Sequence, residues 1–235
     1  LLLFGSRYDT VCIQTYGRRA LLLEALALLV GQARRRRVVL HLHHGGLAAN
    51  LDRHPQPSRW LYGRADAAVA PSAFLRHELE RHGLRVSVIP NGVDAARYPF
   101  RVRTRVRPRL LWMRSFYSYY NPMLALRTYE IVRRRYPDAE LTMAGYDSGM
   151  AQELESAAAA RSLPVQFPGC IPRHQIPRVM DAHDIYLNTN HIDNTPLTVI
   201  EALLCGLPVI ATAVGGIPYL LEHEQTGLLL SLIHI

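Results

Sequence analysis

From residue 9 to residue 230 the chain alternates short β-branched or apolar runs with longer stretches of helical period. Such alternation is the mark of βαβ units, in which a parallel sheet is covered by helices on its faces. Strands are expected over residues 9–14, 38–43, 67–70 and 85–89, with helices over 18–32 and 71–82. The run Pro90-Asn91-Gly92-Val93-Asp94 is turn chemistry. Residues 99–108 are basic, bounded by prolines and without helical period, and read as a linker. A second series begins at Arg109, with strands over 110–113, 141–144, 165–167, 185–188 and 208–212 and helices over 122–135, 150–161, 173–180 and 196–205. The expected organisation is therefore α/β: two doubly wound, Rossmann-like parallel-sheet domains over residues 1–98 and 109–235. Such domains bind ligands at the carboxyl ends of their strands, and two of them would face a cleft.

Charge narrows the chemistry. All 27 basic residues are arginine, and the chain has no lysine. That excludes a Schiff-base lysine and a G-x-x-x-x-G-K-[ST] phosphate loop. Residues 1–107 hold 18 arginines against 7 acidic residues, whereas residues 108–235 hold 9 against 12. The basic half would suit an anionic membrane surface or a phosphorylated acceptor, or simply spread its arginines over solvated faces. It lacks the aromatic interleaving of a nucleic-acid module, so no nucleic-acid partner is expected. Cys12, Cys170 and Cys205 lie far apart and read as buried thiols of a reducing compartment. The apolar run over 21–30 is too short to span a bilayer, and no basic n-region marks a signal peptide. The expected location is the cytoplasm, with peripheral contact at the inner face of the membrane. The chain opens at Leu1 and closes on Ser231-Leu-Ile-His-Ile235 in mid-pattern. Both domains are read as incomplete, and the last residues as foreign to the pattern.

The most informative stretch runs from Asp193-Asn-Thr-Pro-Leu197 through Glu201 and Gly206 to Gly215-Gly216-Ile-Pro218. Thr195 is expected as the N-cap of a helix with Pro196 at its first position, leaving free backbone N–H groups that attract anions and sugar hydroxyls. Gly206 is expected just past the end of that helix. Two helix N-termini beside Asp193 and Glu201 suit a phosphorylated, hydroxyl-rich ligand.

This stretch resembles the E-x7-E region of retaining GT-B glycosyltransferases of the family 4 type, in a D-N-T-P variant. Asp193 stands for the first Glu, Asn194 for Gly, Pro196 for Pro and Glu201 for the second Glu. Three other segments resemble family motifs: Ala65-Asp-Ala-Ala-Val-Ala-Pro-Ser72, Val88-Ile-Pro-Asn-Gly-Val-Asp94 and Tyr136-Pro-Asp-Ala-Glu-Leu-Thr-Met-Ala-Gly145. The resemblance implies a nucleotide-diphosphate sugar as donor and a glycan, lipid-linked or small-molecule acceptor. Transfer would proceed with retention and without metal or other cofactor. By the same resemblance Glu201 would hold the donor ribose and Asp193 the donor sugar. Asn194, Thr195, Pro196 and Leu197 would hold that sugar through their amides, with Gly215 and Gly216 close by. Arg114 would pair with the diphosphate, a task suited to its fixed fork, while the family's lysine partner falls near Tyr119 or Tyr120, where this chain has none. His44 and Gly45 would line the cleft near the transferred sugar.

His41, His43 and His44 also invite a metal reading, but no Asp follows and Leu47 breaks the spacing of the hydrolase pattern. The plain alternative places His41 and His43 on one strand face. Asn91 and Asp94 read as turn residues, Asp181 and Asp184 as solvated helix-end positions, and the tyrosines at 117, 119 and 120 carry no single meaning. Against the transferase stand a non-catalytic nucleotide-sugar-binding fragment, favoured by the missing lysine, and a nucleotide-sugar epimerase of the same fold, which would lack the combined D-N-T-P and G-G-I-P pattern.

Overall fold

The computed structural model describes residues 8–15, 20–43, 47–53 and 55–231, with backbone alone at 48–50, 55, 57 and 58. It divides into two compact units, Leu1–Asn91 and Gly92–Ile235. In the first, β1 (Thr10–Thr15), β2 (Arg37–Leu42), β3 (Ala67–Ala70) and β4 (Ser87–Val88) form a four-stranded sheet in that order, every pair parallel. Helices α1 (Leu21–Ala33), α2 (Leu47–Arg53), α3 (Pro55–Tyr62) and α4 (Ala73–Glu80) connect them. Ser72 caps α4, its Oγ accepting from the Leu75 N–H at 3.1 Å. Leu28, Val38, Leu40, Leu42, Leu75 and Leu79 fill the core. Helices α2 and α3 lie in a stretch for which no element is expected from the sequence. Pro55 is the first residue of its helix, where a missing N–H costs nothing.

The second unit holds a six-stranded sheet ordered β10-β9-β8-β5-β6-β7, all parallel. Its strands are β5 (Arg109–Met113), β6 (Glu140–Ala144), β7 (Val165–Gly169), β8 (Ile185–Asn188), β9 (Val209–Thr212) and β10 (Leu228–Leu230). Helices α5 (Pro122–Arg135), α6 (Ala151–Ala160), α7 (Ile176–Ala182) and α8 (Leu197–Leu204) lie between them. The two-residue period of β5 explains its burial on both faces. Leu110 and Trp112 pack with Ala125, Tyr129 and Leu154 of α5 and α6, while Leu111 and Met113 pack with Val199 and Ala202 of α8. After β7 the chain crosses back to place β8 on the other side of β5. The carboxyl ends of β5 and β8 thus flank a topological switch point, the crevice where open α/β sheets bind ligands.

The basic stretch over 99–108 lies in the second unit and is pinned to it. The Arg103 side chain is almost wholly buried, donating from Nη1 to the Cys205 carbonyl at 2.6 Å and from Nη2 to that of His183 at 3.0 Å. Arg101 Nε pairs with Asp181 Oδ1 at 2.7 Å, and Arg109 Nε with Asp184 Oδ2 at 2.7 Å. Asp184, read from sequence as solvated, is in fact buried among these arginines. Burial opposes its ionisation, but the Arg109 hydrogen bond and the charges of Arg109, Arg101 and Arg103 outweigh it and hold the carboxyl below its ordinary range. Cys12 and Cys170, expected as buried thiols, are exposed, and only Cys205 is buried.

Candidate active site

Arg114 leaves the end of β5, and residues 189–193 leave the end of β8, so the switch point brings the two together. Arg114 donates from Nη2 to Asp193 Oδ2 at 2.7 Å, and the Asn190 side-chain amide donates to the same oxygen at 2.6 Å. Both partners of the ion pair are largely buried, which makes it a charge-assisted contact in a weakly screened place. Burial pushes the Asp193 carboxyl up, and Arg114 with the Asn194 N–H, the Asn190 side chain and the Thr195 N–H pull it back. The Tyr120 ring lies 4.0 Å from the Arg114 guanidinium carbon, a cation–π contact. Tyr120 therefore stands beside the arginine near the position where the resemblance asks for a second cation. Tyr117 and Tyr119 stack at 5.1 Å between ring centroids, with their planes 9° apart.

The backbone around this pair is set by close approaches that only glycine permits. A Cβ at Gly145 would lie 1.8 Å from the Arg114 carbonyl oxygen. At Gly215 it would lie 2.0 Å from the Asp193 oxygen, and at Gly216 1.7 Å from that of Asn194. The Gly216 N–H also donates to the Asp193 carbonyl at 2.9 Å. Gly215 and Gly216 thus hold the Asp193–Asn194 loop in place. Thr212 Oγ1 fixes the Asn190 carbonyl at 2.6 Å, and the Trp112 indole N–H donates to Thr189 Oγ1 at 2.9 Å.

Helix α8 begins at Leu197, with Pro196 rather than Thr195 as its N-cap and no side chain capping it. The expected cap is therefore wrong by one residue: Pro196, in extended conformation, takes the position, and the buried Thr195 Oγ1 has no hydrogen-bond partner. Arg114 Nε, Asn190 Oδ1 and Asn188 Nδ2 are likewise buried and unpartnered. Buried polar groups are normally paired, so four open valences around one switch point describe a site shaped for a polar ligand. Gly206, in left-handed conformation, closes the helix through hydrogen bonds from its own N–H to Leu203 and from Leu207 to Ala202.

Glu201, one turn into α8, is buried and accepts a 2.6 Å hydrogen bond from the Tyr98 hydroxyl. Burial raises its carboxyl, while the Tyr98 hydrogen bond and Arg173 lower it. The Tyr186 phenol, fully buried and within electrostatic reach of Arg114 and both carboxylates, is pushed far up by its burial and donates to the Met113 carbonyl at 3.1 Å. Arg114, Asp193, Asn194, Thr195, Pro196, Leu197, Glu201, Gly215 and Gly216 all belong to the second unit. His44 and Gly45 fall outside the described residues. The His41 and His43 rings face one another at 3.8 Å, and burial followed by His41 lowers the His43 pKa. Among the described residues no three His, Cys, Asp or Glu side chains gather as a metal-holding group. Asn190 and Tyr98 are not singled out by the sequence, and Gly145 appears there only as the end of a family-like motif, with no role at the site. Gly145 carried a signal as the glycine closing an apolar strand, whereas Tyr98 meets Glu201 across 103 positions of sequence.

Two parallel-sheet α/β units, the second with a polar site at its switch point, have the architecture of the GT-B fold. The sheets match those of solved GT-B structures. Anabaena Alr3699/HepE in complex with UDP-glucose superposes with a TM-score of 0.75 at 23% identity, over 95% of this chain and 65% of that one. Sucrose-phosphate synthase from Thermosynechococcus elongatus gives 0.72 at 19% identity, over 95% and 61%. The chain belongs to the glycosyl transferases group 1 family, whose model matches residues 103–231, and the Glycosyltransferase Family 4 model matches residues 1–97. Among curated relatives, glycogen synthase of Mycobacterium tuberculosis is 27% identical over 79% of this chain and 47% of its own length. D-inositol 3-phosphate glycosyltransferase of Pseudarthrobacter chlorophenolicus is 28% identical over 62% and 38%. The chain spans about half the length or less of these relatives.

Proposed function

We propose that the protein transfers a sugar from a nucleotide-diphosphate donor to an acceptor hydroxyl, with retention at the anomeric carbon and without a metal ion. The observation that carries this reading is the Arg114–Asp193 pair at the switch point, ringed by unpartnered polar groups. Arg114 would face the diphosphate with an Nε that is still without a partner, and the amides opening α8 would meet the sugar. The bond from the anomeric carbon to the departing phosphate oxygen breaks as the acceptor oxygen bonds to the same face. The acceptor proton passes to the departing diphosphate. Arginine and helix-end amides compensate the charge that develops there. Asp193 orients the donor sugar and Glu201 its ribose. A panel of uridine, adenosine and guanosine diphosphate sugars, offered to the full-length protein with and without a chelator, tests the reading. Transfer that survives chelation supports it, and a lack of binding or turnover with every donor refutes it.

A second observation bears on the acceptor. Leu22, Leu23, Leu26 and Leu29 are exposed along α1, and Arg34–Arg37 follow directly. An apolar stripe beside clustered arginines is the chemistry of an anionic lipid surface. No described helix is long and apolar enough to cross a membrane. Co-sedimentation with phosphatidylglycerol vesicles but not with phosphatidylcholine vesicles, lost in L22E/L26E, is the expected result. Equal recovery with both vesicle types would remove this reading.

A further inference from the structure

Glu201 is the carboxylate to which the transferase reading assigns the donor ribose, yet its Oε1 is already taken. The Tyr98 hydroxyl donates to it at 2.6 Å, and both side chains are buried. The length lies in the short range of charge-assisted O–H···O⁻ bonds. Tyr98 itself is buried in the core cluster of the second unit that also holds Leu111, Val199, Ala202 and Cys205, so the phenol has little freedom to leave. The next residues are anchored as well, since Arg101 and Arg103 tie them to Asp181 and to the carbonyls of His183 and Cys205. A hydroxyl held this firmly fixes which carboxylate oxygen remains for a ligand.

The geometry points to Tyr98 as a positioning residue for nucleotide recognition: by occupying Oε1 of Glu201 it presents Oε2 in one orientation to the vicinal hydroxyls of a ribose. The proposal rests on the transferase reading of Glu201 and adds to it a selector for ribose over deoxyribose. Discrimination of this kind needs a rigid acceptor, because a carboxylate free to swing would meet one hydroxyl or water about equally well. Among the described residues, the ionisable groups in electrostatic contact with Glu201 include Tyr98 just ahead of the basic stretch, Arg173 from the loop before α7, Tyr186 from β8 and Cys205 at the end of its own helix. Of these, Tyr98 and Arg173 favour its ionised form. Removing the phenol leaves burial opposed by Arg173 alone, so Glu201 would take up a proton at a higher pH.

The test is nucleotide binding by the full-length protein, using whichever of UDP, ADP and GDP binds best, with the 2′-deoxy analogue alongside. Tyr98→Phe should weaken the ribonucleotide by about tenfold, leave the deoxynucleotide unchanged, and move the acid limb of ribonucleotide binding to higher pH. Unchanged deoxynucleotide binding also shows that the variant is folded at the site. Glu201→Gln separates the two layers of the claim. If it abolishes ribose preference while Y98F keeps both the wild-type preference and the wild-type pH profile, the role of Tyr98 is overturned and that of Glu201 stands. If Glu201→Gln keeps full ribose preference, the Glu201 assignment fails and the proposal fails with it. Should Y98F not fold, Glu201→Asp draws the carboxylate back from the phenol by one methylene. It should lose ribose preference, and a wild-type preference there would overturn the proposal.

Discussion

Replacing Gly216 by alanine tests whether the glycine pair shapes the site from behind rather than by touching ligand. The added methyl would lie 1.7 Å from the Asn194 carbonyl oxygen, where ordinary contact begins near 3.4 Å. One of the two backbones must therefore move by about 1.7 Å, taking that difference as the gap to be opened. The Gly216 N–H bond to the Asp193 carbonyl, at 2.9 Å, would be strained by the same movement. A misplacement of about 1 Å can cost about a hundredfold in rate, so kcat/KM for transfer should fall by at least about that factor. Forcing a methyl into a filled site costs about 1–3 kcal/mol, which should appear as a modest loss of melting temperature with a cooperative transition retained. Transfer kinetics and thermal unfolding of G216A, measured side by side in the full-length protein, separate the two effects. Wild-type kcat/KM in G216A would refute the argument, because it would mean that the Asp193–Asn194 loop is free to yield without consequence.

Other outcomes follow from the same geometry. Arg114→Lys keeps a charge but loses the fork that meets Asp193 and would meet a diphosphate, so donor Kd should rise about tenfold or more, read by titration calorimetry. Asp184→Ala leaves Arg103 buried with its closest carboxylate gone, and breaking such a pair costs about 3–5 kcal/mol in denaturant unfolding. Because the Asp184 pKa is depressed on folding, its contribution is complete above the ordinary aspartate pKa and fades as pH falls through the lower folded value. Wild-type protein should therefore lose stability in acid more steeply than D184N. With a thiol reagent, native protein should label at Cys12 and Cys170, while Cys205, buried and pushed up to about 11, reacts only after unfolding; early labelling of Cys205 would contradict its packing.

Much of the fold was legible because local signals agreed with each other. The helix from Pro122 to Arg135 and the strand from Ile185 to Asn188 fall where periodicity places them. Gly206 closes α8 as a glycine past a helix end should. What escaped depends on contacts between residues distant in sequence. Whether Asp184 meets water or three arginines is decided by Arg101, Arg103 and Arg109, 75–83 positions earlier, and an isolated aspartate after a helix carries no mark of it. Thr195 looked like a cap because its residue type is right, but Pro196 in extended conformation takes that position instead. The Arg114–Asp193 pair spans 79 positions and exists because β8 returns to lie beside β5. No local pattern encodes that crossover, although the resemblance to family 4 glycosyltransferases named both residues. For Tyr98 the sequence held no signal at all.

In the proposed function the switch point of the second unit binds a nucleotide-diphosphate sugar through Arg114 and Glu201. The most direct test of that binding is the donor affinity of the full-length wild type beside Arg114→Ala and Glu201→Ala, each verified as folded by its unfolding transition. Saturable binding of at least one nucleotide sugar by the wild type is expected, weakened about a hundredfold or more in both variants, consistent with about 3 kcal/mol for a lost charge-assisted contact. Wild-type affinity in both variants, or no nucleotide-sugar binding by the intact protein, would contradict it.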